Sequence, residues 1–184
     1  MAVPPPDPDL QAFLALASAR LSPRTVESYR RDLEDARRFL GGPLRQAEAA
    51  EIERYLAELR AAGLSSATIA RRLAALRSFF RHQALLGERR DNPASAVDPP
   101  RRLRRLPRPL SRGEVERLIA AASGTTPLAL RDTALVELLY GAGLRVSEAV
   151  GLERGSIDLE ERLIRCVGKG DRERVVPIGR KAAE

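Results

Sequence analysis

The stretch 138–170, LLYGAGLRVSEAVGLERGSIDLEERLIRCVGKG, decides how the rest of the chain is interpreted. Its apolar start continues a helical pattern that stops at 141–143, where the Gly-Ala-Gly sequence permits the left-handed backbone common at helix ends. Arg145 follows this stop at the start of a short helix predicted over 145–152, and we expect its side chain to be buried. An arginine held by rigid elements can neutralise a phosphate.

The second half of this stretch changes from a helical to an alternating pattern. Short segments rich in β-branched residues occupy 156–159, 162–167 and 173–178, with glycine or charged turns between them. They predict a small antiparallel sheet. Lys169 falls at the tip of a hairpin between two glycines, in a chain whose only other lysine is Lys181. A lysine beside an arginine suits phosphate chemistry, because lysine can also protonate a leaving oxygen.

Four helices are predicted in the N-terminal half, joined by short connections that favour a compact helical domain. They cover about 9–20, 23–40, 49–62 and 65–86. Ser22, followed by Pro23, and Ser65 are typical start signals of the second and fourth helices. The face opposite the apolar stripe of the fourth helix carries Arg71, Ala75, Ser78 and His82. We expect this outer face to meet a partner or solvent.

The chain divides into four predicted segments. Residues 1–8 are a proline-rich disordered lead-in, 9–87 the helical domain, 88–110 a basic linker, and 111–184 a second domain that opens with a capping box at Ser111. The second half of the linker is crowded with arginines at 101, 102, 104, 105 and 108. Such a linker could follow a phosphate backbone or serve only as a solubilising tether.

Composition favours a polyanionic partner and excludes several other classes. The net charge of +7 and the isoelectric point near 10.6 point first to nucleic acid. Residues 1–100 hold 15 basic and 13 acidic residues, so binding there would depend on patterned faces, and the arginines could simply solvate the helices. No apolar run approaches the roughly 18 residues of a membrane span, and a cytoplasmic protein is expected. One cysteine and one histidine argue against a disulfide framework and a metal site.

Several motifs together resemble the tyrosine recombinases of the XerC/XerD type, within the phage integrase family. GLRVSE and VGKGDRERVVPI resemble the start of their catalytic domain, and SPRTVESYRRDL and SSATIARRLAALRSFFRH resemble their core-binding domain. The resemblance implies a mainly α fold: a four-helix, SAM-like core-binding domain, a linker, and the helical start of a catalytic domain with a small antiparallel sheet. It implies that the two domains hold a DNA duplex between them.

The resemblance also implies roles for three residues. Arg145 matches the first catalytic arginine, which holds the scissile phosphate, and Lys169 matches the lysine that protonates the leaving 5′ oxygen. Glu148 matches a glutamate that supports the arginine. Arginine presents a planar fork and keeps its charge, whereas lysine can release a proton when its pKa is lowered. Without the resemblance, a structural Arg145–Glu148 pair and an ordinary turn lysine would be the simpler interpretation.

The expected partners are double-stranded DNA and recombinase protomers of the same or a related type on a synapsed site. No metal, nucleotide or other cofactor is expected. The residues expected to bind DNA are Thr25, Ser28, Arg31, Ser65, Thr68, Arg71, Arg72, Arg104, Arg105, Arg172 and Arg174. The sequence leaves open the target site, and whether the reaction serves chromosome segregation or DNA integration.

The chain departs from the family pattern in one respect. The family also uses a His-x-x-Arg motif and a nucleophilic tyrosine near its C-terminus, and neither is present here. The catalytic domain is therefore expected to be truncated, and the chain to be inactive alone. Two alternatives remain open: a stand-alone DNA-binding or regulatory protein derived from a recombinase, and a protein-interaction module whose basic charge is incidental.

Overall fold

The computed structural model describes residues 7–101, 108–168, 170 and 172–183. Contacts divide the chain into two compact units, residues 1–105 and 106–184. Eight α-helices and one small sheet within the described residues confirm the predicted fold class. The helices are α1 Pro8–Ser18, α2 Pro23–Leu40, α3 Ala49–Ala61, α4 Ser66–Leu85, α5 Arg112–Ala122, α6 Pro127–Gly141, α7 Val146–Val150 and α8 Arg180–Ala183. The strands are β1 Ile157–Asp158, β2 Leu163–Gly168 and β3 Arg172–Pro177.

The first unit begins earlier than the sequence predicts. Asp7 is buried, and its Oδ1 accepts hydrogen bonds from the backbone N–H groups of Asp9 and Leu10, at 3.1 and 3.2 Å. Its Oδ2 accepts a third from the N–H of Leu44, at 3.2 Å. Because Asp7 caps α1 and ties it to the segment before α3, assigning residues 7 and 8 to a disordered lead-in was wrong.

Helix α4 is the centre of the first unit. It contacts α1, α2, α3 and the short 3₁₀ turn Pro93–Ser95. Contacts on so many sides bury Ala75 and His82 as well as the predicted apolar stripe. The predicted outer face of α4 is therefore wrong at these two positions, whereas Arg71 is exposed and Ser78 is half-buried.

The first part of the predicted linker belongs to the helical unit. Ala94 and Val97 are buried in its core. The guanidinium of Arg77 donates to the carbonyl oxygens of both, at 3.0 and 2.7 Å, and Asn92 donates to the carbonyl of Arg77 at 2.9 Å. Arg89 adds hydrogen bonds to the carbonyls of residues 45 and 47. The segment 88–98 is thus folded onto α4, because its apolar side chains and carbonyl groups find partners there.

The second unit contains α5 to α8 and the sheet. The strands are antiparallel in the order β1-β2-β3, which confirms the predicted sheet. Its buried cluster consists of Leu144, Ala149, Ile164, Cys166 and Ile178. Helix α7 and the inward side chains of β2 both contribute to this cluster. The strand near the end of the 138–170 stretch therefore packs against the helix that precedes it.

Among the described residues, no helix is both long enough and apolar enough to cross a membrane.

Candidate functional site

Arg145 stands at the N-terminus of α7 with an extended backbone, φ −73° and ψ 152°. Its backbone N–H donates to Oε2 of Glu148 at 2.8 Å, and its guanidinium Nη1 donates to Oε1 at 2.8 Å. The Arg145 side chain is 65% exposed, whereas Glu148 is 5% exposed. The expectation that Arg145 is buried was wrong, because the carboxylate behind it takes the interior position and holds the guanidinium at the surface.

A second arginine meets the same carboxylate from β3. Arg174 donates from Nη1 to Oε1 of Glu148 at 2.7 Å and from Nη2 to Oε2 at 2.8 Å. This is the parallel, two-bond arrangement in which arginine and carboxylate interact most strongly. Glu148, on α7, therefore joins Arg145 at the start of its own helix to Arg174 on β3. We call Arg145, Glu148 and Arg174 the arginine–glutamate cluster.

Glu148 is ionised in this environment. The N–H of Arg145 is the largest cause that lowers the pKa of its carboxyl, to about 2, and the guanidinium groups of Arg174 and Arg145 lower it further against the opposing effect of burial. Two guanidinium groups and one carboxylate leave the cluster with a net positive charge. A positive charge at an exposed guanidinium is suited to binding an anion.

Gly168, the last residue of β2, lies against this cluster. A Cβ added to it would lie 3.2 Å from Oε1 of Glu148 and 3.6 Å from Nη1 of Arg145. A larger side chain here would enter the space that the cluster occupies. Glycine at position 168 therefore makes room for the protein's own ion pairs.

Three of the predicted residues, Lys169, Arg104 and Arg105, lie outside the described residues. Arg172, at the start of β3, is exposed and faces the same side of the strand as Arg174. The structure therefore brings Arg145, Glu148 and Arg174 together, with Arg172 on the neighbouring surface.

The first unit presents a groove between α2 and α4, with a volume of about 840 Å³. Arg71 bridges it: Nη1 donates to Oγ of Ser28 at 2.6 Å and forms an ion pair with Asp32. The Arg71 side chain remains 44% exposed. On the α2 side, Arg31 is exposed and paired with Glu27 at 2.7 Å. Ser28, Arg31 and Arg71 thus line one surface, and their contact with DNA stays a prediction.

Arg72 faces the interior instead. Its Nη1 forms an ion pair with Asp35 and donates to the hydroxyl of Tyr55 at 2.7 Å, and Tyr55 donates in turn to Asp35 at 2.9 Å. The Arg72 side chain is 18% exposed. We conclude that Arg72 holds α2, α3 and α4 together, although its side chain also lines the groove. Contact between Arg72 and DNA stays a prediction.

Asp32 was missed by the sequence analysis, although it lies between the two arginines. Burial raises the pKa of its carboxyl, and the hydrogen bond from Arg71 opposes that shift. Arg72 Nε lies 3.8 Å from the other carboxylate oxygen. The one indication in the sequence was an acidic residue among the apolar core positions of α2. Its partner arginines could not be recognised, because they lie 39 and 40 positions further along the chain.

The predicted residues at the helix N-termini form matching caps. The Ser22 and Thr25 hydroxyls lie 2.9 Å apart at the start of α2, and those of Ser65 and Thr68 lie 2.9 Å apart at the start of α4. Each serine also accepts the N–H of its threonine. Thr25, Ser65 and Thr68 are accessible, and their observed hydrogen bonds stabilise the helices.

Metal ligands are not assembled in the part of the chain that the structure describes: it contains no group of three or more histidine, cysteine, aspartate or glutamate side chains able to hold an ion.

Comparisons with known proteins match both units. Residues 10–86 match the phage integrase N-terminal SAM-like domain, and residues 108–184 match the phage integrase family. The chain belongs to the phage integrase family. The predicted resemblance to the XerC/XerD type is confirmed, because the curated relatives of this chain are named tyrosine recombinases XerC and XerD.

Tyrosine recombinase XerC of Alcanivorax borkumensis is 43% identical over 165 residues, which cover 89% of this chain and 54% of the relative. Tyrosine recombinase XerD of Halalkalibacterium halodurans is 40% identical over 185 residues, covering 96% and 61%. The chain thus spans about half the length of the curated relatives it matches. A crystal structure of a lambda integrase tetramer bound to a Holliday junction shares the fold, with a TM-score of 0.74 at 22% identity, over 92% of this chain and 49% of that one.

Proposed function

We propose that this member of the phage integrase family acts in site-specific DNA recombination of the Xer type, by binding duplex DNA and holding the scissile phosphate with Arg145. The observation that carries the proposal is the arginine–glutamate cluster, which keeps an exposed guanidinium in place on an ionised carboxylate. The XerC and XerD relatives are about 40% identical over 89% and 96% of this chain.

The chemistry of strand exchange explains why such a guanidinium is useful. In the proposed reaction a tyrosine attacks the phosphate, forming a 3′-phosphotyrosyl link and releasing a 5′ hydroxyl. Negative charge builds up on the non-bridging oxygens as the attack proceeds, and a preorganised arginine stabilises that charge. Lys169, by its match to the family, protonates the 5′ oxygen. The covalent link conserves the energy of the broken bond, so neither a metal nor a nucleotide is required.

The two units divide the work in this proposal. Residues 9–87, extended by the folded segment to 98, act as the core-binding domain, and residues 111–184 contribute the first part of the catalytic domain. Ser28, Arg31 and Arg71 contact DNA from the first unit, and Arg145, Lys169 and Arg172 from the second. Protomers of the same or a related recombinase assemble with it on the synapsed site, in the cytoplasm.

The nucleophile is not among the tyrosines of this sequence. Tyr55 uses its hydroxyl in hydrogen bonds with Arg72 and Asp35, and burial raises its pKa. Tyr29 and Tyr140 lie within α2 and α6 and do not match the family motif. We therefore expect residues 1–184 to bind DNA without cutting it.

The test compares binding and covalent capture with the same protein. A random-sequence duplex of 30 base pairs measures binding by fluorescence anisotropy between 50 and 200 mM salt, and a nicked duplex traps any covalent complex. We expect binding whose logarithmic affinity falls linearly with the logarithm of salt concentration, by about 0.9 per phosphate neutralised, and no detergent-resistant complex. Absence of binding at 50 mM salt would overturn the proposal, and a trapped complex would show that one of the three tyrosines is the nucleophile.

A further inference from the structure

Arg174 was expected to contact DNA, but its guanidinium is committed to the protein. Both of its terminal nitrogens donate to Glu148, at 2.7 and 2.8 Å, and two bonds of this kind fix the plane of the group. Arg172, two positions earlier on the same side of β3, is exposed and forms no ion pair with a residue that the structure describes. The two arginines of one strand therefore have different surroundings and are suited to different tasks.

The position of Arg174 in the sheet is fixed. It is paired in register with Cys166 of β2, which is buried, and its carbonyl oxygen lies 3.6 Å from the cysteine sulfur. Its backbone thus belongs to the core of the second unit, and its side chain extends from there to Glu148. Since Glu148 is on α7, Arg174 links the strand pair to the helix that Arg145 begins.

The charges explain what this link achieves. If Glu148 paired with Arg145 alone, its carboxylate would neutralise the positive charge that attracts a phosphate, because the carboxylate and the guanidinium lie within 2.8 Å. With Arg174 sharing the same carboxylate, the cluster keeps a net positive charge. The remaining nitrogens of Arg145 make no hydrogen bond to a described residue and are left for a ligand.

We infer that Arg174 is a positioning residue: it holds Glu148 in the orientation that presents Arg145, and offsets the carboxylate's charge so that Arg145 can bind a phosphate. The phosphate-binding role of Arg145 in this inference rests on the proposed function. The link from Arg174 through Glu148 to Arg145 rests on the geometry alone.

The first part of the test needs no DNA. The ¹³C signal of the Glu148 carboxyl, identified by its loss in Glu148→Gln, reports its pKa, and the ¹⁵Nε signal of Arg145 reports its environment. We expect Arg174→Gln to raise the Glu148 pKa from about 2 toward its ordinary value of 4.5 and to shift the Arg145 signal. Arg172→Gln, on the same strand, is expected to leave both signals unchanged. Arg174→Lys, which keeps the charge without the fork, should give intermediate values and is the variant to use if Arg174→Gln does not fold.

The second part measures affinity for the random-sequence duplex in two backgrounds. We expect Arg174→Gln to weaken binding about tenfold in the natural background, and less than about twofold when Glu148→Gln is already present, since coupled residues lose additivity. Arg172→Gln, which stands for a direct phosphate contact, should weaken binding equally in both backgrounds.

The results separate the inference from the function on which it rests. An Arg174→Gln loss that is equal in the two backgrounds, with a salt slope reduced by about 0.9, would make Arg174 a phosphate contact and overturn the inference. So would unchanged Glu148 and Arg145 signals. If no form of the protein binds the duplex, the proposed function fails, but the two signals still decide whether Arg174 positions Arg145.

Discussion

Replacing Arg72 with alanine is expected to lower the free energy of unfolding of the first unit by about 2–3 kcal/mol, because it breaks a partly buried network of ion pairs and hydrogen bonds between α2, α3 and α4. Asp35 would lose its ion pair with Arg72 and keep the one with Arg38. Tyr55 would lose a hydrogen-bond donor, and Asp32 would lose a neighbouring positive charge. DNA affinity, measured where the variant is still folded, is expected to stay within about twofold.

Arg71 provides the matched control, since it is the next residue and also pairs with Asp32. Its side chain is more exposed, and Asp32 keeps the neighbouring charge of Arg72, so Arg71→Ala should cost less stability than Arg72→Ala. It should weaken duplex binding by about 1–3 kcal/mol if the side chain reads a base edge. Urea denaturation followed by tyrosine fluorescence measures the stability, because the chain lacks tryptophan and two of its three tyrosines lie in this unit. Loss of DNA binding with unchanged stability in Arg72→Ala would show that Arg72, after all, faces DNA.

Replacing Gly168 with valine is expected to destabilise the second unit by about 1–3 kcal/mol through overpacking. The sign of this stability change is informative, because replacing a glycine inside a strand with valine ordinarily stabilises the strand. Here the new Cβ would lie 3.2 Å from Oε1 of Glu148, and the two methyl groups would displace the carboxylate or the Arg145 guanidinium. We therefore also expect weaker duplex binding.

Gly179 supplies the control for this substitution, because a Cβ added there meets no atom within 4 Å. Gly179→Val should change the thermal unfolding midpoint by much less than Gly168→Val does. Circular dichroism measures both, and the Arg145 ¹⁵Nε signal shows whether the cluster has moved. A Gly168→Val protein that is more stable than the original would mean that the cluster does not need the space beside β2.

The sequence predicted those parts of the fold that depend on local periodicity. Ser22 and Ser65 begin α2 and α4 as expected, and the change of pattern after α7 marks the sheet. It failed where a side chain's partner is distant in sequence. Asp7 looked like part of a tail because one of its hydrogen-bond partners is far along the chain. The N–H of Leu44, which donates to its carboxylate, is 37 positions away.

The same limit applies to the candidate site. Arg145 and Glu148 are three residues apart, so their pairing could be expected from helix geometry. Arg174 is 26 positions from Glu148, and nothing in its own neighbourhood distinguishes it from the exposed Arg172. Arg71 and Arg72 are adjacent and chemically identical, and only the placement of Asp32 and Asp35 on α2 assigns one to the surface and the other to the interior.

The central claim is that Arg145, held by Glu148, binds a DNA phosphate, and the salt dependence of binding tests it most directly. Affinity for the random-sequence duplex is measured between 50 and 200 mM salt for the natural chain and Arg145→Gln. Arg112→Gln, in which an exposed arginine paired with Glu116 is removed, serves as the control. We predict that Arg145→Gln weakens binding and reduces the slope of log affinity against log salt by about 0.9, as the loss of one phosphate contact requires, while Arg112→Gln leaves the slope unchanged. Equal slopes for the natural chain and Arg145→Gln would contradict the claim.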